Sequence, residues 1–358
     1  MRLIIGGDVA VMQDCRDLFA QKKSEALFGD VIPLLKSADR VIVNLECAIT
    51  EGDTTITKIG PNLKAPLATA DVLREVGVTD CALANNHIFD FGIPGSEDTL
   101  AQLARCGIDV TGFGKNEADA RRNRILTDGK VRVAVIAVCE HEYSYALPDR
   151  MGARAYDPYD TSDDIVSARG EADYVVVLYH GGKEDCPYPS PRLRKACRSM
   201  ITHGADVVLC QHSHCIGCYE EFSGGHILYG QGNFHFVCRE YEDPADNGEM
   251  WNTGLLTVLE ATDTLSLSFV PYRVDGTGIR LAHPEEADKI LGALSERSRS
   301  LSDGTWQEKW RAFALSQGRY RVLPPELYEE VAHYFDCEAH LDACKEIYQT
   351  RHRAKAEP

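Results

Sequence analysis

The sequence predicts an α/β protein in which two sheets are flanked by helices, and two observations carry that reading. From residue 1 to about 211, short apolar runs alternate with stretches of helical spacing, the pattern of strands joined by crossover helices. After Ile216 the runs shorten, alternate and are separated by turn residues, which predicts antiparallel strands that form a second sheet or complete the first. Beyond about Gly276 polar residues rise and helical patterns take over, so the chain divides into a domain over 1–276 and a helical C-terminal extension over 277–358.

The expected strands of the first part are Leu3–Gly7, Arg40–Asn44, Asp80–Ala84, Val131–Val138, Tyr174–Tyr179 and Asp206–Cys210, each a short run rich in Val, Ile and Leu. Helices are expected over Ala65–Val76, Ile93–Cys106 and Pro191–Gly204. Pro94 stands near one beginning, and Gly107 and Gly204 mark two ends. Their alternation with the strands predicts right-handed crossovers and a largely parallel layer. Ser223-Gly224-Gly225 before HILYG, and Ala261-Thr262-Asp263 between GLLTVLE and LSLSFVPY, are the turns expected of hairpins. The extension carries helical patterns over Pro284–Arg297, Thr305–Leu315 and Pro325–Tyr348.

Composition narrows the classes of function. Of 358 residues 44% are hydrophobic and 26% charged, which suits a folded globular chain and excludes a disordered or fibrous one. Lys and Arg total 38 against 55 Asp and Glu, a net charge of −17 that repels phosphate backbones, so nucleic acid is not an expected partner. No run approaches the roughly 18 apolar residues of a membrane helix. The first strand-like stretch follows Met1 and Arg2 directly, leaving no room for a signal peptide, and a cytoplasmic protein is expected. The 13 cysteines are odd in number and irregular in spacing, and Cys81 and Cys139 lie in apolar runs, as buried thiols do in a reducing compartment. Cys215-Ile216-Gly217-Cys218, with Cys210 nearby, lacks the second CxxC of a four-ligand zinc site. Nothing in the pattern sets an oligomeric state.

Chemistry gathers where the strands end. Asp8 follows LIIGG, Glu46 follows VIVNL, Asn85-Asn86-His87 follows CALA, His180 follows VVVLY, and His212 and His214 follow VVLC. Loops at the carboxyl ends of strands in an open α/β sheet converge on one crevice, so separate segments deliver these groups to one place. Two carboxylates, an amide and three imidazoles suit one or two divalent ions such as Mn²⁺, Fe²⁺ or Zn²⁺. Two such ions about 3.5–4 Å apart and bridged by a carboxylate activate a shared water for attack on a phosphoryl group; Glu46 is the candidate bridge. Each residue alone reads as a turn, a cap or a loop polar group. Their recurrence in order at strand ends is what points to a site.

The motifs GDV at 7–9, NLECAIT at 44–50, LANNHIFDFG at 83–92, YHGGKE at 179–184, GADVVLCQHSHCI at 204–216 and ILYGQGNFHF at 227–236 carry a family resemblance. Together, over about residues 1–275, they resemble the CapA-type poly-gamma-glutamate capsule biosynthesis proteins of the calcineurin-like metallophosphoesterase superfamily. The resemblance implies a four-layer α/β/β/α metallophosphatase-like sandwich with a metal centre at its rim. It assigns Asp8, Glu46, Asn86, His180, His212 and His214 as metal ligands, with Glu46 bridging. It makes His87 the histidine that contacts substrate phosphate and protonates a leaving group, with Asp90 supporting it. Glu184 matches an acidic position that touches substrate or orients His180; Asn233 and His141 are further candidates for the substrate crevice.

Departures from the pattern matter too. Ala10 stands where the superfamily at large often has a histidine, so the first ion loses an imidazole or the centre holds one ion. Ile88 replaces the usual acidic residue after the third-motif histidine. Basic residues near the motifs are few, Lys183 and Arg239 being nearest in sequence. The expected function is metal-dependent hydrolysis, phosphoester hydrolysis first, of an anionic small molecule or polymer linked to capsule or envelope synthesis. The alternatives are a non-catalytic polymer-binding accessory role and hydrolysis of a gamma-glutamyl amide at the same metal site.

Overall fold

The computed structural model describes residues 1–140, 143–238, 248–317 and 340. Contacts divide the chain into two compact units, Met1–Gln307 and Glu308–Pro358. The second unit is described only over 308–317 and at 340. The helix expected over Pro325–Tyr348 therefore lies, His340 apart, outside the described residues, as do His141 and Arg239.

The first unit opens with β1 (Arg2–Val9), α1 (Gln13–Ala20), α2 (Ser24–Phe28), α3 (Val31–Leu35), β2 (Arg40–Leu45), β3 (Ala48–Ile49), β4 (Lys64–Ala65), α4 (Thr69–Val76), β5 (Asp80–Ala82) and α5 (Gly92–Arg105). It continues through β6 (Asp109–Thr111), β7 (Phe113–Gly114), α6 (Glu117–Ala120), β8 (Arg124–Thr127), β9 (Arg132–Cys139), β10 (Gly152–Ala153), α7 (Pro158–Glu171), β11 (Tyr174–His180), α8 (Pro191–Thr202) and β12 (Val207–Gln211). Then come β13 (Tyr219–Phe222), β14 (Gly225–Leu228), β15 (Asn233–His235), α9 (Gly248–Trp251), β16 (Thr253–Ala261), β17 (Leu265–Asp275), β18 (Gly278–Leu281) and α10 (Pro284–Asp303); α11 (Trp306–Ser316) starts at the end of this unit and belongs mostly to the second.

Two large sheets result. One has the order β18-β17-β16-β1-β2-β5-β6, with β15 also paired to β1; the other has the order β13-β14-β12-β11-β9-β8. Around the site both are parallel: β1 with β2, β2 with β5, and β11 with β9 and β12. The late segments complete both sheets. Strands β16 to β18 are antiparallel, as expected, but β14 runs parallel to β12 and β15 parallel to β1. The hairpin expected at Ser223-Gly224 is present, with β13 and β14 antiparallel; its turn sends β14 back alongside β12 in the direction of that strand, which makes this second pairing parallel.

Alternation within the strands shows the layers. Ala134, Ile136 and Val138 of β9 and Val175, Val177 and Tyr179 of β11 pack with Ile165 and Ala168 of α7 and Leu193 and Cys197 of α8. Their neighbours Val133, Val135, Ala137, Val176 and Leu178 turn the other way and join the cluster of Leu3, Ile4 and Ile5 of β1. That cluster extends through the first sheet to Phe19, Leu27, Phe28, Leu35 and Leu73 on its covering helices. The order is helices, sheet, sheet, helices: an α/β/β/α sandwich. Each buried Leu, Ile or Phe contributes about 1.5–3 kcal/mol of transfer free energy, so this double core dominates stability.

Local signals explain most boundaries. Ser190 caps α8 by accepting from the Leu193 N–H, with Pro191 at the first helical position. Asp157 followed by Pro158 does the same for α7, a start signal the sequence reading passed over because the helix has little apolar periodicity. Ala65, expected to open a helix, instead pairs with Ile49, and α4 starts at Thr69 after Pro66. Past Gly276, β18 pairs with β17, and α10 sends Leu294 and Leu301 into the two cores of the first unit. Among the described residues no helix is long and apolar enough to cross a membrane.

Candidate metal centre

Five strand ends meet at one rim of the sandwich. Asp8 is the next-to-last residue of β1, Glu46 follows β2, Asn86 and His87 follow β5, His180 ends β11, and His212 and His214 follow β12. All seven are buried, Asp8 and Glu46 completely. Close approach of the backbone is part of the design, since a Cβ on Gly7 would stand 1.9 Å from the Gly232 carbonyl oxygen.

Two clusters share one carboxylate. Glu46, His180 and His212 form the first, Asp8, Glu46 and His214 the second, and within each a ligand atom from every residue lies within 4.8 Å of the others. Oε1 of Glu46 is 3.3 Å from Nε2 of His180 and 4.0 Å from Nδ1 of His212. Asp8 approaches His180 at 3.8 Å and His214 at 3.7 Å. The side-chain oxygen Oδ1 of Asn86 is 2.9 Å from Nε2 of His180.

Neighbouring polar groups hold these side chains in place. Asn44 donates its amide to Oδ1 of Asp8 at 2.7 Å and lies 3.0 Å from Nδ1 of His180; Asn85 donates to the Asn44 side chain and to the Leu45 carbonyl. The side-chain oxygen Oδ1 of Asn233 lies 2.8 Å from Nδ1 of His214, whose ring is 4.6 Å from that of Trp251. His212 and His214 both have positive φ, 82° and 53°, a left-handed conformation that costs a non-glycine residue about 1–2 kcal/mol. The His212 N–H donates to Oδ2 of Asp8 at 2.9 Å, which helps to hold that turn.

The two carboxyls of the site are shifted in opposite directions. Burial, reinforced by the charge of Glu46, pushes the Asp8 carboxyl up to about 6 against the opposing pull of His180, Asn44 and the His212 N–H. Burial also acts to raise Glu46, but His180, His212 and His214 overcome it and hold the carboxyl well below the usual range. Burial lowers His214.

These residues fit a divalent cation. Both carboxylate oxygens of Glu46 are buried and, among the described residues, accept no hydrogen bond, and an ionised carboxylate is an acceptor only. A pair of such orphaned acceptors between imidazoles and a second carboxylate has the donor chemistry of a metal site.

Beside the clusters, Nδ1 of His87 lies 2.7 Å from Oδ2 of Asp90, which also accepts from the Leu63 N–H. Lys58 donates to Oδ1 of Asp90 at 2.6 Å and to the Asn86 carbonyl at 3.2 Å, with its side chain only 3% exposed. Lys58 escaped the sequence reading, for it sits in an irregular stretch that no period or motif marks. Asn44 had a signal, being two residues before Glu46 and so on the same face of an extended segment.

Glu184 lies where the charges of His212, Lys183 and His214 hold its carboxyl below the usual range against burial. Glu140, beside the undescribed His141, accepts from Tyr179, Gly182 and Arg192 and so braces the loop after β11. Ala10 is fully buried, and its N–H donates to the His235 carbonyl. His235 itself packs edge-on against Phe19 at 5.1 Å and beside Phe28, a core histidine that burial pushes down to about 4. The described cysteines are free thiols, all buried but Cys106, which is partly so.

The arrangement defines a metallophosphatase-like sandwich with a buried carboxylate–imidazole cluster at its rim. Comparison with known proteins supplies the family: residues 2–237 match the model of the bacterial capsule synthesis protein PGA_cap, and the chain belongs to that family. It is 29% identical over 239 residues to the capsule biosynthesis protein CapA of Bacillus anthracis, a match covering 64% of this chain and 58% of that protein. It is 29% identical over 241 residues to the PGA biosynthesis protein CapA of Bacillus subtilis (strain 168), covering 64% and 62%. With a probable polyglutamine synthesis accessory protein of Mycobacterium tuberculosis (strain H37Rv) it shares 27% identity over 293 residues, 76% of each chain. The chain thus spans less than two thirds of the length of the two Bacillus proteins.

Proposed function

We propose that this chain is a metal-dependent hydrolase, most suited to phosphoester hydrolysis, that acts on an anionic substrate in capsule or envelope polymer synthesis. The observation that carries the proposal is the buried Glu46 carboxylate, without a hydrogen bond to either oxygen among the described residues and common to two clusters of ligand-type atoms. Asp8, Glu46, Asn86, His180, His212 and His214 are the residues that would hold one or two ions, Mn²⁺, Fe²⁺ or Zn²⁺ by donor type. Bound there, such ions supply Lewis acidity and a water acidified toward neutrality.

The rest falls to the chain's own groups. With Nδ1–H of His87 given to Asp90, Nε2 is the nitrogen from which a proton passes to a departing oxygen. Lys58 pairs with Asp90 at 2.6 Å and so fixes the carboxyl that orients the His87 ring. Glu184 and Asn233 border the His212–His214 side, where Glu184 meets the substrate and Asn233 fixes the ring of His214. The capsule and polymer context rests on the names of the relatives, and the buried free thiols suit the reducing cytoplasm.

A second reading, a non-catalytic polymer-binding accessory role, is favoured by the buried Ala10, which leaves the Asp8–Glu46–His214 cluster with three protein ligands. Metal analysis of the purified chain, with hydrolysis of aryl phosphate mono- and diesters in added Mn²⁺, separates the two. Bound ions and turnover that His87→Ala abolishes support the hydrolase. Bound ions without turnover support the accessory role or amide chemistry, and no bound metal overturns the site.

A further inference from the structure

Strand β2 reads Arg-Val-Ile-Val-Asn-Leu, and Asn44 is its one uncharged polar residue, completely buried beside Ile42, Val43 and Leu45. An amide shut into an apolar strand is a cost unless its hydrogen bonds are made. The side chain of Asn44 makes them at the rim of the sandwich, with residues from both sheets.

Register brings the first partner. In the parallel pair of β1 and β2, Ile5 stands opposite Ile42 but Asp8 opposite Asn44, so β1 carries one extra residue between the two pairs, at Gly6-Gly7. A regular register would set Gly7 beside Asn44; the irregularity sets the Asp8 carboxylate there instead. The second partner, His180, ends β11 of the facing sheet. The amide nitrogen of Asn44 donates to Oδ1 of Asp8 at 2.7 Å and stands 3.0 Å from Nδ1 of His180, while Nε2 of that ring is turned to Glu46. Asn85 fixes the orientation of the amide. Its Oδ1 accepts from the His87 and Ile88 N–H groups, so its nitrogen turns to Oδ1 of Asn44, and the Asn44 nitrogen is left facing Asp8.

Asp8 belongs to the cluster with Glu46 and His214, His180 to the cluster with Glu46 and His212. Glu46 joins the two clusters as a carboxylate; Asn44, two residues earlier on the same face of the chain, joins them as a hydrogen-bonding group. We infer, on the basis of the metal centre proposed above, that Asn44 is a positioning residue that fixes one ligand of each cluster against the other and so couples two ion positions across the two sheets. Asn44 holds no ion itself, because its Oδ1 is taken by Asn85 and an amide nitrogen is a donor only. Its part is that of an outer group that orients ligands.

The test is titration of the EDTA-stripped full chain with Mn²⁺, followed by electron paramagnetic resonance of the loaded protein. The wild type is expected to take up two ions with an exchange-coupled spectrum. Asn44→Leu, similar in shape but unable to hydrogen-bond, should bind Mn²⁺ at least about tenfold more weakly (about 1.4 kcal/mol) and lose the coupled spectrum. Leu73→Ala, a core change on α4, controls for lost stability and should bind like the wild type. Binding and spectrum unchanged in Asn44→Leu, or weakened equally in Leu73→Ala, overturn the inference and leave the metal site standing, as does a wild-type chain that holds a single ion. A wild-type chain that binds no Mn²⁺ overturns the site and the inference together. Should Asn44→Leu fail to fold, Asn44→Ser, polar but too short to span both partners, takes its place with the same expected losses and the same overturning results.

Discussion

His212 gives its backbone N–H to Oδ2 of Asp8, a candidate ligand 204 residues earlier in the chain. One carboxylate therefore does two things: it faces the cluster and it holds the left-handed turn that presents His212 from the opposite sheet. Asp8→Asn is expected to keep the fold but lose ion binding, while Asp8→Ala also releases the turn. Metal content and circular dichroism of the two variants distinguish these losses.

Ion binding should be visible as stability. At a free Mn²⁺ concentration of 100 times Kd, the wild-type chain should gain about 2.7 kcal/mol. Glu46→Gln, which keeps the shape and removes the shared charge, should abolish the gain. Calorimetric melting with and without EDTA measures it, and an equal metal-induced shift in Glu46→Gln would remove Glu46 from the ligand set.

The buried pair of Lys58 and Asp90 predicts strong coupling. Lys58→Met leaves a carboxylate with no cation and should cost about 3–5 kcal/mol, whereas Lys58→Met with Asp90→Asn should recover much of it. Denaturant unfolding of the single and double variants gives the coupling. His87→Ala should lower turnover by about 10²–10⁴ with little effect on stability.

Glu220 sets an acid limit on the fold. Burial acts to raise its carboxyl, but Arg198, Arg194 and the Tyr229 hydroxyl reverse that and hold it down to about 2 from 4.5. A depressed carboxyl gives stability that is complete above the unfolded value and is lost as pH falls through the folded one, here between about 4.5 and about 2. With Arg198 partly in solvent, the contribution is about 2 kcal/mol. The stability gap between the wild type and Glu220→Gln should close across that window in acid titration.

Two glycines give opposite expectations. Gly7→Ala drives a Cβ into the Gly232 carbonyl and should destabilise by about 1–3 kcal/mol or more. Gly170, inside α7 with nothing within 4 Å of a Cβ, should tolerate Ala and gain about 0.4–1 kcal/mol. Melting curves of the two variants check both signs.

Much of this was legible because strand cores are apolar and the residues that follow them are not. The break between VVVLY and His180, or between VIVNL and Glu46, marks a strand end and a polar group together. What could not be read were contacts made across the sandwich. Lys58 is invisible because its partners Asn86 and Asp90 lie about 30 residues away and no periodicity connects them. Asn233 was expected near substrate, and its amide is within hydrogen-bond distance of His214, a pairing set by the parallel register of β15 on β1. The parallel course of β14 escaped notice because turn chemistry fixes a hairpin but not the strand it then lies beside.

The span between Asp8 and His212 also makes the centre a record of assembly. While the chain is being made, an ion can meet Asp8 and Glu46 early, but the imidazoles arrive from a second sheet that must first form its own parallel pairs and then close onto the first. Contacts of such separation are slow to form. Completion of the cluster would thus be the last event of folding, and a chain that had misplaced either sheet would lack the set of side chains proposed to hold an ion.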